Sequence, residues 1–232
     1  MKSVLITGAN RGVGLELAHQ CVTRGDRVFA GCRSPEKAAS LREIVVKHSG
    51  QMTILPLDVS EEESIAQSAA LVSNETASLD ILFNNAAIFS NRESIKDFSA
   101  DEALRMLNVN AVGQMLVVKH FIDLIKAGDD PRIINISSEA GSISKMAGFR
   151  GYYYCGSKAL LNMFTRALAW GSETQGIKVI AIHPGWVRTD MGGPDAHISP
   201  TQSAEGLLKV TDGLKPSDNG KFYTWEGVEY PW

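Results

Sequence analysis

The chain has 232 residues, of which 44% are hydrophobic and 21% are charged, and its formal net charge is −3. This composition is typical of a soluble globular protein that can bury a sizeable core. It argues against a general nucleic-acid-binding protein, because no basic excess is available to neutralise phosphates. No segment reaches membrane-spanning length, and the apolar run at residues 4–6 is too short for the core of a signal peptide.

The three cysteines, Cys21, Cys32 and Cys155, are odd in number and show no C-x-x-C spacing. They are interpreted as free thiols in a reducing compartment rather than as a disulfide framework or a zinc site. A cytoplasmic location is therefore expected. His183 precedes a proline without companion ligands and is interpreted as structural, so no metal is predicted.

Strand-like and helix-like segments alternate along the whole chain. Apolar runs predict seven strands, at residues 3–7, 27–32, 52–57, 79–83, 132–137, 178–183 and 221–224. Helical spacing follows several of them, at residues 13–24, at 100–127 and around 154–170. Apolar strands separated by helices indicate a mostly parallel sheet that is covered on both faces. We therefore expect one doubly wound α/β domain of the Rossmann type over residues 1–232.

Helix starts are predicted where side chains can cap them. Four sites fit such a start: Ser34-Pro35, Ser60 with Glu63, Ser99 with Glu102, and Ser199-Pro200 with Gln202. After Ser99, an apolar stripe at helical spacing predicts one long helix. The stripe consists of Leu104, Leu107, Ala111, Met115, Val118, Ile122 and Ile125.

The first predicted strand runs directly into Gly8, which Gly12 and Gly14 follow where a helix begins. Glycines at such a crossing let the backbone turn tightly and approach a pyrophosphate, which the free N–H groups and the dipole of the helix N-terminus favour. A tight turn without a ligand is the alternative, and the position at the first strand-to-helix crossing argues against it. The spacing therefore predicts a dinucleotide site.

The end of the second predicted strand bears on which dinucleotide fits. An acidic residue there would hold the ribose hydroxyls of NAD and repel a 2′-phosphate. This chain has Cys32 and Arg33 instead, with no acid before Glu36. Arg33, helped by Arg11 from the glycine turn, could clamp the 2′-phosphate of NADP through charge-assisted hydrogen bonds. The alternative for both arginines is a solvated surface charge, and the missing acid favours NADP.

Tyr154 and Lys158 lie four residues apart in a segment predicted to be helical, which places both side chains on one face. An ammonium beside a tyrosine lowers the tyrosine pKa, so that the phenol can exchange a proton with a carbonyl or alcohol oxygen near neutral pH. The spacing is common by chance, so a surface helix is the alternative. Tyr152 and Tyr153 compete for the role, but neither has a lysine four residues on.

Together these motifs resemble the short-chain dehydrogenase/reductase family, and the resemblance covers essentially the whole chain. The turn at 7–14 is similar to the family's cofactor turn, and the pair Tyr154 and Lys158 is similar to its Tyr-x-x-x-Lys motif. Asn110 matches the family's helix asparagine and Ser138 matches its active-site serine. Resemblance to the Sniffer and C-factor-like carbonyl-reductase subgroup lies in residues 184–194, 221–225 and 230–232.

The resemblance implies which residues bind the cofactor. Asp58 and Val59 match the family's adenine-contacting segment, although Asp58 could instead belong to the turn before a helix. The implied cofactor-binding residues are Gly8, Asn10, Arg11, Gly12, Val13, Gly14, Arg33, Asp58, Val59, Asn85, Ala86, Ala87, Tyr154, Lys158, Pro184, Gly185, Val187 and Thr189.

The resemblance also implies a reaction, in which NADPH would deliver a hydride to the carbonyl carbon of a small aldehyde or ketone while Tyr154 protonates the developing alkoxide. Lys158 would lower the tyrosine pKa and bond the nicotinamide ribose, and Ser138 would orient the carbonyl oxygen. Asn110 would hold a water that links Lys158 to solvent; a solvent-facing helix asparagine is the alternative. Ser137 competes with Ser138, but adjacent strand residues point to opposite faces, so only one can serve.

The chain departs from the family pattern at two places. The segment 84–87 is similar to the family's Asn-Asn-Ala-Gly motif, but Ala87 replaces its last glycine. The interval from Ser138 to Tyr154 is a few residues longer than usual, which implies a larger loop near the substrate. The short glycine- and proline-rich segment 191–199 predicts an open pocket for varied carbonyl compounds.

Two other functions stay open at this point. One is a C-factor-like signalling protein in which dinucleotide binding matters more than turnover, and the other is an NAD-linked alcohol dehydrogenase. The intact set of Ser138, Tyr154 and Lys158 favours the reductase, since a pure sensor does not need it. The long apolar helices at 100–127 and 150–172 could pair two chains, so a homodimer is expected.

Overall fold

The structure, a computed structural model, describes residues 1–90 and 94–232. In these ranges seven strands form one sheet in the order β3-β2-β1-β4-β5-β6-β7, and neighbouring strands run parallel. The strands are β1 Ser3–Thr7, β2 Arg27–Cys32, β3 Met52–Pro56, β4 Ile81–Asn84, β5 Arg132–Ile136, β6 Lys178–His183 and β7 Phe222–Thr224. The predicted doubly wound α/β fold is confirmed.

Seven α-helices within the described ranges connect and cover these strands. They are α1 Gly12–Thr23, α2 Ala39–Lys47, α3 Glu62–Glu75, α4 Ala100–Leu107, α5 Gly113–Lys126, α6 Tyr152–Trp170 and α7 Pro200–Asp212. A π-helical turn, Asn108–Val112, joins α4 to α5.

Helices lie on both faces of the sheet, and successive strand residues point to opposite faces. Val4 of β1 packs in a core with Leu17 of α1 and Leu207 of α7. Leu5, the next residue, packs in a second core with Phe121 of α5. All of these side chains are fully buried. The unbroken apolar runs of the strands follow from this burial on both faces.

The strand order reverses beside β1, because the chain goes on from β1 to β2 and β3 on one side and to β4 on the other. At such a switch point the two outgoing connections separate and leave a crevice at the carboxyl ends of the strands. The residues after β1, β4, β5 and β6 therefore meet at one edge of the sheet. This edge carries the candidate site.

The capping box predicted at Ser60 is wrong. The Ser60 N–H and hydroxyl both donate to the Asp58 carboxylate, at 3.0 and 2.7 Å, so this serine closes a turn and α3 begins later, at Glu62. Ser34 likewise precedes only a short 3₁₀ turn, Pro35–Lys37, before α2. The capping box of Ser199 with Gln202 is confirmed.

The single long helix predicted after Ser99 is also wrong in part. The Ser99 hydroxyl accepts a 3.3 Å hydrogen bond from the Glu102 N–H as predicted, but the Glu102 carboxylate binds Arg105 instead of returning to the cap. The π-helical turn adds a residue to the helical turn and so rotates α4 relative to α5. Leu104, predicted on the buried stripe, is consequently 63% exposed.

Two further properties bear on the expected class of protein. Within residues 1–90 and 94–232, no helix combines the length and the apolar character needed to cross a membrane. In the same ranges, His, Cys, Asp and Glu side chains do not gather in a group of three or more that could hold a metal ion. The three cysteines are buried thiols.

Candidate active site

A cleft of about 1240 Å³ opens at the carboxyl ends of the strands. All eighteen residues that the sequence implies for cofactor binding line it, from Gly8 to Thr189, and so does Ser138. Asn110 lies outside its lining and is fully buried. The fold therefore brings residues scattered over most of the chain to one place.

The glycine turn at one end of the cleft has no room for side chains. Gly8 has a φ of 65°, in the left-handed region, and a Cβ there would lie 2.8 Å from the Cα of Ala86. A Cβ on Gly14 would lie 2.4 Å from the main-chain oxygen of Gly8. Glycine is thus required for the turn to close and for α1 to begin against it. Gly8, Gly12 and Gly14 line the cleft at the N-terminus of α1, the position that a phosphate-binding turn requires.

Thr7 fastens the glycine turn to the segment after β4. Its hydroxyl oxygen accepts hydrogen bonds from the N–H groups of Asn85 and Ala86, at 2.9 and 3.0 Å. The Asn85 amide donates to the main-chain oxygens of Thr7 and Gly8, at 2.9 and 3.2 Å. Among the described non-glycine residues only Asp130 has a left-handed φ, so the alanine at Ala87 fits its backbone without strain.

Three cationic side chains border the cleft in the segments that follow β1 and β2. Arg11 and Arg33 are those predicted from the sequence, and Lys37, from the turn before α2, joins them. Arg11 pairs with Asp190 at 3.1 Å across the mouth of the cleft, and both side chains are exposed. Lys37 was not predicted from the sequence, because the short turn Pro35–Lys37 that places it beside the cleft is not apparent from its position in the chain.

Asp58 lines the same end of the cleft, but its carboxylate is already engaged by Ser60. These hydrogen bonds match the alternative that the sequence left open for Asp58, a role in the turn before a helix. Its main chain and Val59 remain at the cleft wall. An adenine contact of Asp58 stays a prediction.

The side chains of Tyr154 and Ser138 meet in the cleft, where Ser138 is close enough to oppose the rise of the tyrosine pKa. The alternative serine and tyrosine, Ser137 and Tyr153, form hydrogen bonds elsewhere. The Ser137 hydroxyl donates to Asn162 at 2.5 Å in the buried interior, and the Tyr153 hydroxyl accepts from the Ser99 N–H at 2.6 Å. Strand alternation after β5 thus turns one serine inward and the other to the cleft.

Burial raises the pKa of Tyr154 to about 12, against the smaller lowering effect of Ser138. The expected lowering of the tyrosine pKa by Lys158 is therefore wrong in this structure. Burial also lowers the pKa of Lys158 to about 7, so that this side chain is only partly charged near neutral pH. Its nitrogen lies 5.9 Å from the centroid of the tyrosine ring and donates to the main-chain oxygen of Ile136 at 2.8 Å.

Asn110 lies in the π-helical turn behind the cleft wall. Its amide oxygen accepts from the Ile88 N–H at 2.8 Å, and its amide nitrogen donates to the Ile88 oxygen at 2.9 Å and to the Ser157 hydroxyl at 3.0 Å. Ser157 in turn donates to the main-chain oxygen of Tyr154 at 2.8 Å. The alternative of a solvent-facing asparagine is wrong, and the water-holding role of Asn110 stays a prediction.

The segment after β6, which carries the predicted cofactor contacts at Pro184 and Gly185, packs against residues from later in the chain. Gly185 has a φ of 87°, and a Cβ there would lie 3.1 Å from the indole ring of Trp225. The main-chain oxygen of Pro184 accepts a 2.7 Å hydrogen bond from the hydroxyl of Ser203 in α7. Two elements that follow later in the chain thus hold this edge of the cleft.

Aromatic residues that the sequence did not single out form the other end of the cleft. Phe89, Phe149 and Trp186 line it and are all exposed. The Phe89 ring meets Tyr154 edge to face, with the ring centroids 5.0 Å apart. Charged side chains at this end are Glu139 and Arg150, which form an ion pair. No sequence motif marks these residues, because their convergence depends on where the loops after β4, β5 and β6 turn.

The segment 191–199 folds back on the strand end that precedes it. Arg188 donates to the main-chain oxygens of Ala196 and His197, each at 3.0 Å. The indole N–H of Trp186 donates to the Gly192 oxygen at 2.8 Å. The segment is therefore braced by its own hydrogen bonds, while the breadth of substrates it admits stays a prediction.

Comparisons with known proteins identify the family of this chain. A family model described as short chain dehydrogenase matches residues 2–197. An oxidoreductase of Schizosaccharomyces pombe is 33% identical over 249 residues, which cover 100% of this chain and 98% of that protein. C-signal of Myxococcus xanthus is 34% identical over 157 residues, which cover 68% of this chain and 95% of that protein.

Two solved structures are similar over the whole chain. The NADPH-bound carbonyl reductase from chicken fatty liver is 33% identical, with a TM-score of 0.92, and the alignment covers 100% of this chain and 99% of that one. The carbonyl reductase Sniffer of Drosophila melanogaster is 31% identical, with a TM-score of 0.94 and full coverage of both chains. The chain therefore belongs to the short-chain dehydrogenase family and resembles its Sniffer and C-factor-like members.

Proposed function

We propose that this short-chain dehydrogenase reduces aldehyde and ketone carbonyls to alcohols with NADPH, and that Tyr154 is the general acid. The observation that carries the proposal is that Ser138, Tyr154 and Lys158 line one cleft together with the predicted cofactor residues. The Ser138 side chain there is close enough to the Tyr154 phenol to affect its pKa. This arrangement presents two hydroxyls at one point, where a substrate oxygen that gains negative charge would be stabilised. The similarity to two carbonyl reductases supports the same reaction.

The chain's own residues fit NADP(H). The turn at Gly8 and Gly14 has no space for a Cβ and lines the cleft where α1 begins, which suits a pyrophosphate. Arg33 and Lys37 would hold the 2′-phosphate, since they follow β2 where an NAD enzyme has an acid, and Arg11 from the glycine turn would help them. When bound, NADPH supplies the hydride. The remaining predicted contacts, from Asn85 to Thr189, line the same cleft and belong to this proposal.

The proton chemistry follows from the pKa values of the two central groups. With a pKa of about 12, Tyr154 is protonated at neutral pH and can donate to the substrate oxygen. Ser138 would orient that oxygen through a second hydrogen bond. Lys158, with a pKa of about 7, would exchange a proton near neutral pH and bond the ribose hydroxyls.

Asn110 has a positioning role in this proposal. It joins the segment after β4 to α6 through Ile88 and Ser157, and so sets the distance between Tyr154 and the cofactor segment. A water held beside it would complete the route from Lys158 to solvent.

A panel of aldehydes, ketones and quinones, with NADPH oxidation measured by absorbance, tests the proposal. We expect turnover with several members of the panel and much weaker turnover with NADH. Turnover with none of them would contradict the reductase. Turnover of a single compound would contradict the open pocket that the short 191–199 segment predicts, and equal use of NADH would favour an NAD-linked enzyme.

The similarity to C-signal supports a second candidate, a signalling role in which dinucleotide binding matters more than turnover. Tyr154→Phe separates the two, because it removes the acid and leaves the binding residues in place. A biological activity that survives this substitution, together with retained NADPH binding, would favour the second candidate.

A cytoplasmic homodimer is part of the proposal. The buried thiols Cys21, Cys32 and Cys155 suit a reducing compartment. Leu104 and Met163, on α4 and α6, are more than half exposed and suit a contact between two chains. Size-exclusion chromatography with light scattering tests the dimer, and a monomer at micromolar concentration would contradict it.

A further inference from the structure

The loop at residues 142–151 carries part of the cleft wall but buries little of itself. Its residues 143–150 are all exposed. Phe149 and Arg150 nevertheless line the cleft at its aromatic end. An exposed loop with few buried contacts opens easily unless hydrogen bonds hold it. The second half of the loop is held by the Arg150–Glu139 ion pair and by the edge contact of the Phe149 and Tyr152 rings, and its first half needs a separate anchor.

That anchor is the segment of residues 230–232, which runs beside the loop. The Ser142 hydroxyl donates to the main-chain oxygen of Pro231 at 2.6 Å. The Ser144 hydroxyl and N–H donate to the main-chain oxygen of Trp232, at 2.6 and 3.1 Å. These bonds fix the loop at a point five residues before Phe149.

The segment 230–232 is itself attached to the edge of the sheet. The Trp232 ring stacks on Phe222 of β7, with centroids 5.3 Å apart and an interplanar angle of 25°. The Arg166 guanidinium lies 5.7 Å from the Trp232 ring, and the Tyr230 N–H donates to the Phe222 oxygen at 2.7 Å. Phe222 is fully buried, so the segment rests on a rigid part of the core.

We propose that residues 230–232 form a latch that positions the 142–151 loop, and with it Phe149 and Arg150, for substrate binding. The inference rests on the proposed carbonyl reduction. The 230–232 latch lies outside the lining of the cleft, so its residues are positioning residues rather than catalytic ones. It acts on the aromatic end of the cleft, whereas the glycine turn and Arg33 form the other end. Loss of the latch should therefore weaken substrate binding and spare NADPH.

Ser144→Ala and Trp232→Ala test the latch, with 4-nitrobenzaldehyde as the substrate probe and NADPH as the reductant. We expect the KM for the aldehyde to rise about tenfold, because Ser144→Ala removes a hydroxyl hydrogen bond and Trp232→Ala removes the ring contacts that hold the segment. The kcat and the NADPH dissociation constant should stay within about twofold, since Tyr154 and the cofactor residues are untouched. Amide hydrogen exchange over residues 142–151 should become faster.

Two controls sharpen this experiment. Ser144→Thr keeps the hydroxyl and should restore the KM, and Trp170→Ala removes an indole that is exposed and remote from the loop. An unchanged KM and unchanged amide hydrogen exchange in both Ser144→Ala and Trp232→Ala would contradict the proposed latch. So would an equal loss of kcat, substrate affinity and NADPH affinity, which would reveal a general structural role. If the unaltered protein reduces no carbonyl compound, the proposed function fails, while the exchange measurement still decides whether the latch holds the loop.

Discussion

The Lys158 nitrogen donates a 2.8 Å hydrogen bond to the main-chain oxygen of Ile136 and lies 5.9 Å from the centroid of the Tyr154 ring. Burial moves the pKa values of the two side chains in opposite directions, that of the tyrosine to about 12 and that of the lysine to about 7. Burial disfavours the charged form of each group, which is an anion for tyrosine and a cation for lysine. The lysine is therefore the member of the pair that titrates near neutral pH.

The depressed pKa of Lys158 makes stability depend on pH. The unfolded chain keeps this proton up to a pH of about 10.5 and the folded chain only up to about 7. Between these values the unfolded state binds more protons, so the contribution of Lys158 to the free energy of unfolding rises with pH. In Lys158→Met, the free energy of unfolding should rise less between pH 7 and pH 10 than in the unaltered protein.

Urea unfolding at several pH values measures this difference. Lys209→Met is the matched control, because Lys209 is exposed on α7 and should leave the pH dependence unchanged. Identical pH dependences for the unaltered protein and Lys158→Met would contradict the shifted pKa.

Tyr154→Phe removes the proposed proton donor and keeps the ring. Carbonyl reduction should fall by about 10²- to 10⁴-fold in kcat, the range of a general acid, while NADPH binding stays unchanged. Nicotinamide fluorescence and steady-state kinetics measure the two quantities. Tyr152→Phe, two residues earlier and half exposed, is the control and should keep full activity. Comparable losses in both variants would argue against a specific role for Tyr154.

Arg33→Ala tests the selectivity for NADPH over NADH. A charge-assisted hydrogen bond contributes about 1.5–3 kcal/mol, so the NADPH dissociation constant should rise by roughly 10- to 100-fold while that of NADH stays the same. Titrations with both cofactors measure the change. Arg105→Ala, on exposed α4, removes an arginine far from the cleft and should change neither constant. Equal weakening of both cofactors would point to a lost structural contact instead of a 2′-phosphate contact.

Asp130→Ala should destabilise the fold at the opposite edge of the sheet. Its carboxylate binds both Arg132 and Lys178, whose side chains are nearly buried, and the Lys178 hydrogen bond holds the pKa of Asp130 below its usual range. Removing the anion leaves two buried cations short of a partner. Because Asp130 itself is half exposed, we expect a loss of about 2–3 kcal/mol, less than for a fully buried pair.

Urea unfolding at neutral pH measures this loss. Glu102→Ala removes an exposed carboxylate that pairs with Arg105 on α4 and should cost less than about 1 kcal/mol. Equal changes in the two variants would mean that burial of the cations adds nothing to the interaction.

Local sequence patterns were sufficient to predict the fold, and together with the family resemblance they predicted the residues at the cofactor end of the cleft, but not Lys37 or the aromatic end. The strands are apolar runs because both faces of the sheet are covered, and a strand-turn-helix crossing with Gly8 and Gly14 can be recognised without knowing its partners. The order of the motifs then pointed to residues that line one cleft. These features depend on neighbours in the chain, which is why a sequence reveals them.

Other features were decided only when distant segments packed together. Leu104 is exposed because a π-helical turn rotates its helix. Ser60 does not cap a helix because its hydroxyl donates to Asp58. The Tyr154 pKa rose because the effect of burial outweighed the opposing effect of Ser138. The sequence by itself determined which side chains could meet at the cleft. Tertiary structure decided their desolvation and their hydrogen-bond partners, because both depend on the whole surrounding shell of atoms.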